Sequence, residues 1–435
     1  MNRLRTLALL FAALFPLTSP AQQQPPQRRR ISLKEALQLA SKQGPDVMAS
    51  RAQAAIARAS VRRAWTAWQP DLTATGTFDH TSAPASIPAG ALGPGSPAIT
   101  ILAPNSEYAT FQISQPFFSP QGLFLPGVAG AAAEAADRGA DEAREQSLLA
   151  VARTYLSLQG LRGLLDAARE AEQVALRREQ DARARISAGT DVEIGLLRAQ
   201  TETAQARAQI ANLTGQTEGF LPLLEALTGE AVEPLPGSIE EFGQPAEEGA
   251  QPWESAFSVR SAAAQVQASS RAVNYDQFLW LPTVAGVARE NYNSNGGFAG
   301  KNWTYDLIVN VSIPLYDRGV RYAQKSEDDA RLAQAQASLA SARARARANW
   351  VGARANWTAA QAVLQQTVSQ AQLATRAQAQ VEASARAGVA TSLDLSDADQ
   401  KKFAAQSAAA QARAELQIRR AEIAVAEGRL YELSK

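Results

Sequence analysis

The stretch Phe111-Gln112-Ile113-Ser114-Gln115-Pro116-Phe117-Phe118 returns 198 positions later as Val309-Asn310-Val311-Ser312-Ile313-Pro314-Leu315-Tyr316. In both copies apolar and polar residues alternate into a Ser-x-Pro step. Alternation marks a strand with two different faces, and proline ends such a strand because it cannot donate to a ladder. The echo continues outward. Gly189, followed ten residues on by Ala199-Gln200, is answered by Gly388 followed ten on by Ala398-Asp399, an offset of 199. Trp68-Gln69-Pro70 is answered by Trp280-Leu281-Pro282 at an offset of 212, so the first half carries a longer insertion, the Pro, Gly, Ala and Ser-rich run from about Ser82 to Asn105. Self-similarity of this kind means two copies of one structural unit.

Proline placement shows what lies between the echoes. All 21 prolines fall within residues 16–126, within 222–282 or at 314, leaving 127–221 and 315–435 without any. Both free stretches are rich in Ala, Arg, Gln, Glu and Leu, the strong helix formers. The segment from about 320 to 387 would span ~100 Å at 1.5 Å per residue, longer than a compact domain needs. Its large apolar residues fall at Leu332 and Leu339, then after eleven positions at Trp350, Trp357 and Leu364. That is a heptad seam with a four-residue stutter, which locally unwinds a left-handed supercoil. Each half therefore reads as helix, strand, loop, strand, long helix, turn, helix, with boundaries 22–228 and 253–435. Residues 229–252, acidic and rich in Pro and Gly, read as a linker or short irregular element.

The strands indicate their solvent. From Trp303 to Ile313 one face carries Trp303, Tyr305, Leu307, Val309, Val311 and Ile313, the other mostly polar residues. Ala109, Phe111 and Ile113 alternate with Thr110, Gln112 and Ser114, and Leu72, Ala74, Gly76 and Phe78 alternate with Asp71, Thr73, Thr75 and Thr77. Only the strand after Pro282 is ambiguous. A soluble sandwich would alternate in the same way. Strands that cross an outer membrane have this length, an apolar lipid face, a polar lumen face and interfacial aromatics, and Trp303 and Tyr305 suit such a girdle. Four strands cannot close a barrel, and an open edge in lipid leaves backbone groups unpaired at several kcal/mol each. Closure must come from several chains. Three chains with twelve strands give the smallest ring with a useful lumen, since about eight strands fill their own interior; the physics of the sequence leaves four chains open.

The beginning of the chain, Met1-Asn2-Arg3-Leu4-Arg5, an apolar run from Leu7 to Phe15 and then Ser19-Pro20-Ala21, reads as a signal peptide over 1–21. No later stretch approaches the ~18 uninterrupted apolar residues of a membrane helix. Removing Arg3 and Arg5 takes the formal net charge from +1 to −1, too near neutral for a nucleic-acid binder by bulk charge. The absence of cysteine excludes disulfides, thiolate catalysis, Cys-bearing zinc sites and a lipidated N-terminal cysteine.

Against this background Ile31-Ser32-Leu33-Lys34-Glu35-Ala36-Leu37-Gln38-Leu39-Ala40, with Pro45 after it, resembles the opening helix of the TolC-like outer-membrane efflux proteins. Ser32 and Glu35 also make a capping box, which accounts for them structurally. Val311-Ser312-Ile313-Pro314-Leu315-Tyr316-Asp317-Arg318-Gly319 and Arg386-Ala387-Gly388-Val389-Ala390-Thr391-Ser392-Leu393-Asp394-Leu395 with Asp397-Ala398 resemble the family's two most recognisable stretches. The resemblance covers essentially the whole mature chain. It implies a mixed α and β membrane protein: a homotrimer with a twelve-stranded barrel in outer-membrane lipid, continued by a coiled-coil periplasmic tunnel. It further implies docking to a periplasmic adaptor and an inner-membrane transporter, as the exit duct of a tripartite efflux or type I secretion system. The turns Gly189-Thr190 and Gly388-Val389-Ala390-Thr391 become docking tips, and Asp394 and Asp397 a ring of carboxylates at the periplasmic gate. Two positions depart from the family: the first tip, Ser187 to Gly195, has glycine where family members can place an acidic gate residue, and Ala390 stands where an arginine can contribute to the closed gate, so the salt-bridge latch is not expected here.

Rival readings draw less support. His80, the one histidine, sits in a loop-like region, and no Gly-rich phosphate loop precedes a helix, so neither catalysis nor a cofactor is expected. Glu327-Asp328-Asp329 could meet a hard cation, but adjacent carboxylates on a helix point apart, and no metal site is expected. A soluble periplasmic coiled-coil adaptor or structural rod should show one helical hairpin flanked by β-rich domains, not two copies of a strand-pair and helix unit. The sequence does not name the cargo.

Overall fold

The computed structural model describes residues 28–189, 192–237, 251–296 and 300–434. The expected signal peptide, Thr190 of the first tip and 238–250 of the expected linker lie outside the described residues. In chain order the elements are β1 (Arg29–Ile31), α1 (Leu33–Gln43), α2 (Pro45–Trp65), β2 (Asp71–His80), β3 (Ala85–Ile87), β4 (Ile99–Leu102), β5 (Asn105–Phe118), α3 (Pro120–Ser187) and α4 (Glu193–Thr228). They continue with β6 (Val232–Pro234), α5 (Phe257–Asp276), β7 (Thr283–Asn293), β8 (Trp303–Ser312), α6 (Val320–Arg386), α7 (Ser392–Ala426) and α8 (Leu430–Ser434).

Two helices, α3 of 68 residues and α6 of 67, set the length of the helical wall at ~100 Å. Helix α3 packs against α2, α4, α5 and α7, and α6 packs against α5 and α7. The helical wall thus runs α2-α3-α5-α6 nearer the strands and α4-α3-α7-α6 towards the turns. Small side chains allow close approach: a Cβ on Gly160 would stand 2.9 Å from that of Ala414 and one on Gly163 3.3 Å from that of Ala410. On α6 the seam turned from solvent runs Ala335, Leu339, Ala342, Ala346, Trp350, Ala353, Trp357. The two successive steps of four, from Ala342 to Ala346 to Trp350, are the stutter.

Helix α3 begins seven residues earlier than the proline-free stretch and passes through Pro126, and α4 passes through Pro222 before stopping at Gly229 with φ +80°. Each internal proline removes one helical hydrogen bond, a local loss that long packed helices tolerate. Val232–Pro234, inside the expected linker, is a strand that pairs in parallel with β1, Ile31 facing Pro234.

That small sheet covers the main apolar core, halfway along the molecule. Ile31, Leu33 and Leu37 meet Leu148, Tyr155 and Leu158 of α3, Leu221 and Leu224 of α4, Ala421 of α7 and Leu430 of α8. Each fully buried leucine contributes about 2 kcal/mol by area. The Tyr155 hydroxyl, also buried, donates to the Ile31 carbonyl at 2.9 Å. Helix α1 enters this core through the capping box read from sequence: Glu35 N–H donates to Ser32 Oγ at 3.2 Å and Ser32 N–H to Glu35 Oε2 at 2.9 Å.

The principal sheet has the order β2-β5-β7-β8, antiparallel throughout, four strands per chain as expected. Strand β7 is the one whose alternation was ambiguous. Its inner face includes Ala285 and Val287, and its outer face includes Glu290 between Tyr305 and Phe111. The insertion in the first half is not irregular: β3 and β4 form a hairpin within it.

Candidate functional site

Two surfaces can do chemistry or transport here, the sheet and the helix turns at the other end. The sheet bears no helix on either face, and every residue of its edge strands β2 and β8 is exposed. Register assigns the faces. Opposite Trp303, Leu307 and Val311 stand Tyr292, Ala288 and Val284, and across β5 and β2 the same face carries Ala109, Phe111, Ile113, Leu72 and Ala74. Leu307 is 78% exposed. An apolar face of this extent cannot rest in water.

The other face is polar and tied across strands. Arg289 donates to Gln112 Oε1 at 2.9 Å, Asn291 to Asp306 Oδ2 at 3.1 Å and Thr110 to Asn291 Oδ1 at 3.2 Å. One sheet with a lipid-type face and a wetted face is a barrel wall, and its outer edges β2 and β8 are open to further strands. Trp303 and Tyr305 lie on the apolar face at the end farthest from the helices, where Trp303 packs on Tyr292 with ring centroids 5.0 Å apart. Tyr292 stands on the same face beside Trp303, which the mixed pattern of β7 hid.

Below the sheet, Arg321 fastens strand to helix. Its guanidinium donates to Asp317 Oδ2 at 2.8 Å, to the Leu279 carbonyl at 3.2 Å and to the Pro314 carbonyl at 3.0 Å, and it lies 4.0 Å over the Trp280 ring. The Arg321 side-chain bond first, with the Arg321 N–H, holds the Asp317 carboxyl below the usual carboxylate range. The Trp-x-Pro and Ser-x-Pro echoes therefore meet at one joint.

At the opposite end the repeats turn. After α6, Gly388 takes φ +77°, its N–H donates to the Ala385 carbonyl at 3.0 Å and Val389 N–H to the Ser384 carbonyl at 2.9 Å. This closes the helix as a Schellman turn, and nothing near Gly388 would meet a Cβ, so the glycine serves the backbone angle. Gly189 matches it at φ +74°. Val389 is 81% exposed, Leu393 is exposed four residues on, and Val192 and Ile194 are exposed at the other turn. Ala390 is half-buried and Thr391 is the N-cap of α7.

Asp394 completes that cap: Thr391 Oγ1 donates to its Oδ2 at 2.7 Å and Thr391 N–H at 2.8 Å. The hydroxyl first, then the N–H, hold the Asp394 carboxyl below its ordinary value. Asp397, a turn on, accepts from Lys401 Nζ at 2.6 Å. Both aspartates line one concavity between α6 and α7, with Leu373, Ala377 and Lys401. Sequence reasoning missed Asp399. Arg178 of α3 donates to its Oδ2 at 3.2 Å and Gln378 of α6 to its Oδ1 at 2.9 Å, so one carboxylate binds three helices just above the turns. The signal was present, since Ala398-Asp399 is part of the repeat echo. Among the described residues no group of three or more His, Cys, Asp or Glu is placed to hold a metal ion. Nor is any described helix long and apolar enough to cross a membrane.

Comparison with known proteins agrees with this geometry. The sequence profile of the family described as "Outer membrane efflux protein" matches residues 36–230 and 253–429, one segment for each repeat, and the chain belongs to that family. Its fold is that of a membrane protein from Pseudomonas aeruginosa, with 18% identity over 92% of this chain and 91% of that one and a TM-score of 0.75. The outer membrane protein VceC from Vibrio cholerae matches at 19% identity over 91% and 96% with a TM-score of 0.71. The open state of the Neisseria gonorrhoeae MtrE outer membrane channel matches at 16% identity over 91% and 88% with 0.73. No match was found among curated protein sequences. The protein is an outer-membrane efflux channel whose helices extend into the periplasm.

Proposed function

We propose that three copies of this chain close into one duct, an exit path for small molecules or polypeptide that an inner-membrane transporter drives through a periplasmic adaptor. The observation that carries the reading is the shared order of open edges. Strands β2 and β8 end the sheet, while α2 with α4 and α6 end the helical wall, so one rotation about one axis joins both. Because the strands run antiparallel and are even in number, β8 of one copy meets β2 of the next antiparallel. The helices at these edges carry exposed apolar residues, Met48 and Ile56 on α2, Leu223 on α4, and Val351 and Val363 on α6. The duct is passive, and this reading assigns no catalytic residue and no cofactor.

At the periplasmic end, Gly189, Thr190, Gly388, Val389, Ala390 and Thr391 are proposed as the adaptor-docking tips, with Val389 and its exposed apolar neighbours as the contact. Asp394 and Asp397 become rings of three carboxylates around a narrow axis, which attract cations and resist full ionisation. Lys401 tempers that field at Asp397. Mass measurement of protein extracted from outer membranes in detergent tests the assembly: a trimer is expected, and a dominant monomer, or a monodisperse soluble monomer in plain buffer, overturns it. Val389→Glu is expected to abolish efflux at unchanged trimer yield; loss of the trimer would assign Val389 to folding instead.

A further inference from the structure

The hairpin of β3 and β4 stands at the outer end of the sheet, between the open edge strand β2 and its neighbour β5. Between Asp79 and Glu107 there is no Asp, Glu, Lys or Arg. The segment is nevertheless built. Ala85 pairs with Leu102 and Ile87 with Ile99. Beyond them the tip is closed by Gly90 N–H to the Ser96 carbonyl at 2.9 Å and Ser96 N–H to the Gly93 carbonyl at 3.1 Å, with Gly90, Gly93 and Gly95 all at positive φ. At its base the buried Ser106 hydroxyl accepts from Asn295 Nδ2 at 2.8 Å. This folded flap presents Leu92 at its apex, 66% exposed, with Ile101 and Leu102 exposed behind it.

Three surroundings compete for those side chains. Water would leave an ordered apolar tip uncovered. A phosphate-bearing lipid surface is met by lysine and arginine, and the flap has neither. The remaining surface without charge is the same flap on the other copies. Reach favours it: twelve strands ~4.8 Å apart and tilted ~40° enclose a ring of radius ~12 Å, and an arm of about a dozen residues extends up to ~30 Å.

We infer that, in the trimer proposed above, the three flaps lean over the outer mouth and meet at the axis through Leu92, forming an uncharged apolar iris. A constriction of this kind narrows the mouth to small solutes and widens when cargo displaces the tips. It places a second gate at the end opposite the carboxylate rings.

The absence of native cysteine makes single-cysteine reporters clean. In outer membranes treated with a short bismaleimide, Leu92→Cys is expected to link chains covalently. In whole cells, Asn310→Cys, on the polar face of β8, is expected to react from the medium with a small maleimide but not with a long PEG-maleimide. Adding Leu92→Asp, or replacing 84–102 with a short Gly-Ser link, is expected to bring the long reagent to the labelling level of the small one, with trimer mass unchanged. Intact trimers in which Leu92→Cys does not cross-link, or in which access of the long reagent is the same with and without Leu92→Asp, overturn the iris and leave the duct standing. Failure to find trimers overturns the duct, and the iris with it.

Discussion

Adjacent residues of β8 face opposite solvents, and this can be tested with one substitution placed twice. Leu307 lies on the apolar face four residues from Trp303, and Ile308 on the other face, cross-strand from Val287. At ~3.3 Å per residue and ~40° tilt, Leu307 sits ~10 Å below the girdle, near the middle of an apolar band ~25 Å tall. An arginine facing lipid at that depth costs ~2–4 kcal/mol, so Leu307→Arg in three copies costs ~6–12 kcal/mol per trimer. Ile308→Arg enters the wetted face beside Asp306, with Arg289 diagonal to it on β7, where an added cation is solvated and the cost is below ~1 kcal/mol per chain. The assay is trimer yield in outer membranes together with heat-induced dissociation in detergent. Leu307→Arg is expected to abolish or strongly destabilise the trimer while Ile308→Arg leaves it close to wild type. Equal effects, or a larger one at Ile308, would refute the assignment of faces.

Burial, against N–H bonds from Leu430 and Tyr431, pushes the Glu145 carboxyl up from 4.5 to about 7. A carboxyl whose folded value is raised stabilises the fold below 4.5 and loses that contribution as pH rises towards 7, about 3 kcal/mol over the window. Exchange of the Leu430 and Tyr431 amides, corrected for intrinsic rate, should therefore accelerate between pH 5 and 8 in wild type and stay flat in Glu145→Gln. Gly388→Ala imposes a left-handed angle on an L-residue without a clash, so the helical bundle should lose about 1–2 kcal/mol per chain, read as a lower melting temperature. In planar bilayers, the pair Asp394→Asn and Asp397→Asn should reduce cation selectivity and block by trivalent cations; persistence of both would place the gate elsewhere.

The edge strands were legible because water and lipid each claim a whole face, leaving strict alternation in β2 and alternation broken only at Ile308 in β8. Strand β7 was not, because its outer face mixes Glu290 and Gly286 with Tyr292, Ala288 and Val284, and its inner face mixes Ala285 and Val287 with Arg289 and Asn291. A Cβ on Gly286 would lie 2.5 Å from the Phe117 ring, so the register there follows packing and not polarity. The tips were legible through Gly189 and Gly388, whose positive φ no other residue adopts as cheaply. Asp399 was hidden because its partners Arg178 and Gln378 come from two other helices, and spacing along one helix reports only its own face. Pro126 and Pro222 misled the helix boundaries because tertiary packing along α3 and along α4 outweighs the one hydrogen bond each proline removes.

The core halfway along the molecule draws Ile31 and Leu37, then Leu148 and Tyr155, then Leu224, then Ala421 and Leu430, into one cluster. The bond from Leu430 N–H to Glu145 alone spans 285 positions. Local helix growth can proceed as the chain emerges, but this knot ties only when residues from both halves are present together. Until then the apolar strand faces, Leu33 and Leu148 are all unclaimed at once, a state prone to aggregation. The central core of this chain therefore cannot close until residues near both ends of the described chain are present.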